Sequence, residues 1–283
     1  MNVPNLNRLV REPVYPMTAV LEQPEAAQFD LDAFVQEVHG RGFAVVPNLL
    51  EAEFLNRMRG ELMQAIRAES ELPYNNARDR AMVLLCSLYG GTFLELFENE
   101  KLLACANALL GDGSTVYAYT SSSMPPKGTN FSRRIHVDCP RVIPGYMTNL
   151  GVLMAIDDFT EENGATFFLP YSQERTDAPS ESFFYRNAYR FTCKAGSAIF
   201  FNARVWHCGG DNQTDQWRHG LSINIGRPWM KQRIDIPRAM AHMDLTGVPE
   251  TVLQKLGFLA QVPANYAEYY VAPEKRKFRQ KYE

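Results

Sequence analysis

Three residues form a set whose types and spacing suit metal binding: His136, Asp138 and His207. The first two belong to the triplet His136-Val137-Asp138, at the end of an expected strand, Ser132–Asp138. Side chains alternate faces along a strand, so His136 and Asp138 point one way and Val137 the other. An imidazole and a carboxylate then converge on one point. His207, in Val205-Trp206-His207-Cys208-Gly209-Gly210, is the best third ligand. Two imidazoles and one carboxylate on one face of an ion leave the opposite face open, which suits Fe(II) that must also bind small molecules. The same donors hold Zn2+ in hydrolases. A third alternative makes both histidines satisfied core residues of a non-catalytic jelly-roll binding protein. The other histidines offer less: His39 ends a helix and suits its C-terminal dipole, His219 alternates away from Arg218, and His242 has no nameable partner.

Arg218 follows His207 by eleven residues (218 − 207). A planar guanidinium binds a carboxylate through two parallel bonds, a task lysine does poorly. Ser222 lies on the same strand face, two alternations on. Further landmarks are Glu162-Asn163-Gly164-Ala165-Thr166 running into Leu169-Pro170-Tyr171-Ser172, and Ala195-Gly196-Ser197-Ala198-Ile199-Phe200-Phe201. Each is short, but their order and spacing are specific together. Over roughly residues 40 to 235 the chain resembles the phytanoyl-CoA dioxygenase-like Fe(II)/2-oxoglutarate oxygenases.

That resemblance implies a mainly β fold with flanking helices, a double-stranded β-helix (jelly roll, cupin-like) whose mouth holds the metal. It implies Fe(II), 2-oxoglutarate as cosubstrate and O2, with release of succinate and CO2. His136, Asp138 and His207 would be the metal ligands and catalytic centre. Arg218 and Ser222 would anchor the far carboxylate of 2-oxoglutarate, and Tyr119 and Ser123, on the face shared with Ser121, would border it. Leu153 falls where some relatives carry a tryptophan against the cosubstrate. A carboxylate at 138, rather than Gly or Ala, argues against halogenation. The substrate is then a small organic metabolite, hydroxylated in the commonest outcome, with natural-product biosynthesis as one setting.

Composition fits this class and excludes others. The 283 residues can bury a full core in one domain. A net charge of −3 gives no general pull toward nucleic acid or membrane. No apolar run approaches a membrane span, and the start carries no apolar signal region. Cys86, Cys105, Cys139, Cys193 and Cys208 are odd in number and lack metal-ligand spacing, so reduced thiols in a cytoplasmic protein are expected.

The elements that must position these residues divide the chain in three. Residues 1–113 should form an extended arm and then helices, with periodic Leu31, Phe34, Val35 and Val38, closed by Gly40, and Leu55, Met58, Leu62, Ala65 and Ile66. Residues 114–227 should form the jelly-roll core, with strands near 116–121, 132–138, 148–157, 165–169, 189–193, 197–202, 205–208 and 220–225. Residues 228–283 turn helical again. Their stretch from about Ile234 to Tyr270, rich in Met, Leu and Tyr, is expected to lie over the mouth as a lid. The alternative is a helix packed on the far side. Arg134, two residues before His136, would face the metal and meet a carboxylate or carbonyl of the substrate. The competing view starts the strand later and leaves Arg134 on the surface beside Arg133.

Overall fold

The computed structural model of the chain describes residues 29–73 and 82–276; the expected N-terminal arm, residues 1–28, lies outside them. Helix α1 (Leu31–Gly40) starts where the Asp30 carboxylate accepts from the backbone N–H groups of Asp32 and Ala33. The left-handed residue after it is Gly42, not Gly40: Gly42 has φ of +97°, and a Cβ there would sit 2.5 Å from Val205 Cγ2. Strand β1 (Phe43–Val46) follows, then the long α2 (Ala52–Ser70), short α3 (Thr92–Glu95) and α4 (Glu100–Leu110).

The strands are β2 (Thr115–Ser121), β3 (Asn149–Ala155), β4 (Phe167–Phe168), β5 (Tyr189–Arg190), β6 (Ala198–Asn202), β7 (His207–Cys208) and β8 (Gly220–Gly226). They form two antiparallel sheets, a major one ordered β1-β6-β3-β8-β2 and a minor one ordered β5-β4-β7. Helix α5 (Glu181–Asn187) lies between β4 and β5 in the chain.

The major sheet is apolar on both faces because each face meets a separate core. Along β3, Leu150, Val152 and Met154 face the helices, packing with Phe34, Met58, Leu62, Phe97 and Leu109. Leu153 and Ala155 face inward, toward Phe43, Phe168 and Phe201. Such a doubly covered strand reads as a continuous apolar run, which made β3 easy to place.

The first two helices of the C-terminal segment pack away from the mouth. Helices α6 (Ile236–Ala239) and α7 (Glu250–Lys255) bury Ile236, Met240, Val252 and Leu256 in the helix-side core. Lys255 Nζ donates to Asn107 Oδ1 and Ser114 Oγ, each at 2.7 Å, and Gln254 Nε2 donates to the Gly113 carbonyl at 3.0 Å. The lid expectation is therefore corrected: the apolar residues that suggested it are the buried stripe of a far-side layer. The short α8 (Tyr266–Tyr269) follows. All five cysteines are free and buried. No helix among the described residues is long and apolar enough to cross a membrane.

Candidate active site

His136 and His207 face each other because their backbones form a reciprocal antiparallel bridge. His136 N–H donates to the His207 carbonyl at 3.0 Å and His207 N–H to the His136 carbonyl at 2.9 Å. The rings lie 4.2 Å apart between centroids. Asp138 is fixed two residues on, where its N–H meets the Ala203 carbonyl at 2.9 Å. Its Oδ1 lies 3.5 Å from His136 Nε2 and 3.8 Å from His207 Nε2.

Each imidazole is oriented from behind. His136 Nδ1 lies 2.6 Å from the Arg134 carbonyl and His207 Nδ1 2.9 Å from the Val205 carbonyl. Both Nδ1 atoms must then carry the proton, which leaves both Nε2 lone pairs free toward Asp138. Phe168 stacks on the His207 ring at 5.5 Å and Phe201 packs against it at 4.9 Å. One ligand atom from each of the three residues falls within 4.8 Å of the others, so the group could hold a metal ion.

The charges suit that purpose. Burial pushes the His207 imidazole down to about 4, with the neighbouring His136 adding to the effect. Burial alone would raise the Asp138 carboxyl. An imidazole of His136 or His207 attracts the carboxylate when it is protonated, and this attraction, with a bond from Asn224, outweighs burial and holds the carboxyl below its ordinary range. His207 is thus neutral and Asp138 ionised at neutral pH, the forms a metal requires.

A cavity of about 550 Å³, counted to its open side, runs from this group to Arg218. Its walls include Thr120, Ser122, Leu153, Phe168, Phe201 and Ser222. Thr120, Ser222 and Leu153 are direct cross-strand neighbours on β2, β8 and β3, so they form one row across the sheet. Arg218 is 1% exposed. Its guanidinium donates to the carbonyls of Gly164, at 3.1 Å, and Ser122, and lies 4.1 Å above the Phe159 ring. No carboxylate pairs with it among the described residues, and its Nε has no hydrogen-bond partner there. Burial lowers its pKa to about 10, so it stays charged at neutral pH. An unpaired buried cation is costly; a carboxylate entering the cavity would complete it. The Ser122 Oγ, also buried and without a partner among the described residues, is a further vacant hydrogen-bonding group on that wall.

Most of the expected residues meet here: His136, Asp138, His207, Arg218, Ser222 and Leu153 all line the cavity. Four expectations need correction. Tyr119 is fully buried on the helix side, against Phe93 and Phe97, with its hydroxyl donating to the Phe93 carbonyl. A bulge between Val116 and Ala118 turns both Val116 and Tyr119 to the helices and puts Thr120 in the cavity. Ser123 is buried but is not part of the cavity wall. Residues 131–133 form a 3-10 turn rather than a strand, so Ser132–Asp138 is strand-like only at the His136 bridge. Arg134 is consequently exposed and off the cavity wall, while Arg133 pairs with Asp211 at 2.9 Å. The premise of a buried Arg134 facing the metal fails. Asn224 and the two phenylalanines around His207 were missed; Asn224, at an alternating position with Ser222, was the one signal available.

The phytanoyl-CoA dioxygenase family model matches residues 38–220. An uncharacterised protein of Mycobacterium tuberculosis is 29% identical over 258 residues, 88% of this chain and 94% of its own length. The iron/alpha-ketoglutarate-dependent dioxygenase penM of Penicillium thymicola is 22% identical over 80% of this chain and 86% of that protein. Among solved structures, the epimerase SnoN in complex with Fe3+, alpha ketoglutarate and nogalamycin RO matches with a TM-score of 0.59. It is 20% identical and the match covers 77% of this chain and 91% of that one, a likeness in fold.

Proposed function

The chain belongs to the phytanoyl-CoA dioxygenase family and is an iron- and 2-oxoglutarate-dependent oxidoreductase; on that premise we propose that it oxidises, most simply by hydroxylation, a small organic metabolite in the cavity between its two sheets. The observation that carries this is a cavity with a metal-binding triad at one end and an unpaired buried cation at the other. 2-Oxoglutarate is a dicarboxylate whose two ends match those two needs.

His136, Asp138 and His207 would hold the iron. Iron bound there would let O2, the oxidant, take two electrons from 2-oxoglutarate and two from the substrate, with succinate and CO2 as co-products. The protein's own part is positional. The Arg134 and Val205 carbonyls hold the imidazoles in the ligating tautomer. Arg218 binds the far carboxylate with Ser222, and Thr120 and Ser122 offer hydroxyls on the same wall. Phe168, Phe201 and Leu153 keep water from the reacting centre. A zinc hydrolase would give Arg218 nothing to bind.

In the same reading the two sheets are a double-stranded β-helix, jelly roll and cupin-like, within a single domain spanning all three segments. The core cluster that joins residues from each segment supports this. The five free thiols favour a cytoplasmic setting. The likeness to SnoN, from nogalamycin biosynthesis, favours a natural-product substrate. Arg134 lies off the cavity wall, and in this reading it would meet an anionic substrate only through its exposed side chain near the mouth. Aerobic incubation with Fe(II) and 2-oxoglutarate should yield succinate in the wild type and none in Asp138→Ala. Equal succinate from both would reject the assignment.

A further inference from the structure

Two amides interrupt the apolar strands beside the triad. Asn149 opens β3 and Asn224 sits within β8, in register with Gly151, so the two are diagonal neighbours on the inward face. Both are buried, at 2% and 8% exposed. Asn149 Nδ2 donates to Asn224 Oδ1 at 2.8 Å. With its oxygen so engaged, the Asn224 amide turns its N–H2 outward, and the group it meets is the Asp138 carboxylate. The chain of bonds runs Asn149 to Asn224 to Asp138.

A purely structural account fits poorly. Asn149 Oδ1 is buried with no partner among the described residues, and such an acceptor costs stability. A branched apolar residue would suit both strand positions better. What the amides provide is direction. Asp138 follows a 3-10 turn and a single bridge rather than a strand, so the local backbone alone does not fix its carboxylate plane. The backbone holds Asp138 N–H and Cys139 N–H on the Ala203 carbonyl, and Ala203 N–H in turn on the Asn149 carbonyl at 3.1 Å. Asn149 therefore reaches Asp138 by two routes, one through backbone and one through side chains.

We propose that Asn224, itself oriented by Asn149, is a positioning residue that fixes the Asp138 carboxylate so that one oxygen is presented to the metal. The inference rests on the triad reading above. A ligand carboxylate held through its second oxygen keeps one coordination mode, leaving the remaining positions on the metal for the cosubstrate.

The test is spectral titration of the full-length protein with Co(II), in the wild type, Asn224→Leu, Asn149→Val and Asp138→Ala. Asn224→Leu keeps volume and removes the donor. It should weaken Co(II) binding about 10- to 100-fold and shift the Co(II) visible bands, while the metal-free protein remains folded. Asn149→Val should weaken binding in the same direction, by less, because Asn224 remains but loses its orienting bond. If Asn224→Leu fails to fold, Asn149→Val decides alone. Unchanged affinity and bands in the folded variants, with Asp138→Ala still losing the metal, would overturn the positioning role and leave the triad standing. Wild-type affinity in Asp138→Ala would overturn both.

Discussion

His136, Asp138 and His207 gather one carboxylate and two imidazoles at one end of the cavity, whereas Arg218 stands at the other as a buried cation with no carboxylate bonded to it among the described residues. The supporting structure differs as well. The triad comes from a two-residue strand, an isolated bridge and a loop. Arg218 leads into the seven-residue β8, bonded on both sides within the major sheet. At the triad end the groups offset one another: burial raises Asp138, and its imidazole neighbours bring it back down. At the Arg218 end burial is only partly offset, by two carbonyls, a ring face and the charge of Asp157, which is not bonded to it. The fold can thus hold the triad ready without a metal at modest cost, but it keeps Arg218 ready only against a standing penalty. Stability and function should therefore separate at Arg218 and run together at the triad's supports.

The largest effect expected is at the triad. His136→Ala, Asp138→Ala or His207→Ala each removes a donor that the open coordination sphere cannot replace from protein. Iron affinity should fall by at least about 100-fold, roughly 3 kcal/mol. Iron titration of the three variants checks this, and a variant with unchanged affinity leaves the triad.

Arg218→Met should weaken 2-oxoglutarate binding by about 2–5 kcal/mol with iron still bound, read from the anaerobic Fe(II)–2-oxoglutarate absorption band. A change below about threefold, ~1 kcal/mol, would remove Arg218 as the anchor. The comparison is sharpened by stability. Arg218 has a pKa near 10 in the folded chain against 12.5 for a free guanidinium. The folded state thus disfavours the charged form. The penalty is complete below pH 10 and is relieved only as pH rises from 10 toward 12.5. Its size at neutral pH is roughly 3 kcal/mol. Losing the donors to the Gly164 and Ser122 carbonyls costs about 1–3 kcal/mol each. Arg218→Met should then change the stability of the cosubstrate-free protein by less than about 2 kcal/mol in denaturant, although truncating an ordinary core side chain costs about 2–5.

The same contrast between the sheets explains what the sequence could reveal. β3 and β8 are long and doubly covered or regularly alternating, so Arg218 and Ser222 could be assigned to one face from spacing, while Leu153 was placed by the family resemblance. The triad was legible for another reason: histidine is scarce in this chain, and His136, Asp138, His207 and Arg218 have few alternative partners. Tyr119 was misplaced because one bulge in β2 inverts the alternation, and nothing in Val116-Tyr117-Ala118-Tyr119 distinguishes a bulged strand from a regular one. The 3-10 turn at Phe131–Arg133 rests on Asn130, whose carboxamide oxygen accepts from Ser132 N–H and Oγ. Asn130 was present to be read as a turn residue. The far-side packing of Ile236, Met240, Val252 and Leu256 was not readable, because a buried stripe has the same pattern whichever surface it covers.

A smaller effect should come from behind His207. Gly151 lies in the middle of β3, where a Cβ would meet Phe201 Cζ at 2.1 Å. The Phe201 ring occupies the space a side chain would take and leans on the His207 ring. Gly151→Ala must displace that ring, costing about 1–3 kcal/mol of stability. Because Phe201 braces His207, iron affinity should fall with it. A stability loss with unchanged iron affinity would show that the minor sheet holds His207 without help from the major one.

The smallest effect is expected at Arg134. Its backbone carbonyl serves His136 Nδ1 whatever the side chain is, so Arg134→Ala should leave iron and 2-oxoglutarate affinities within about twofold. The side chain is exposed, and exposed ion pairs contribute about 0.2–1 kcal/mol. With an anionic substrate, KM should therefore rise by at most about fivefold, with kcat and substrate-free 2-oxoglutarate turnover unchanged, and the rise should fade as salt is added. An increase well beyond tenfold that survives high salt would mean that Arg134 is desolvated against the substrate after all. The mouth would then close around bound substrate, and the loop carrying the triad would be a moving part rather than a fixed frame. An unchanged KM would leave the orienting carbonyl as the sole contribution of Arg134.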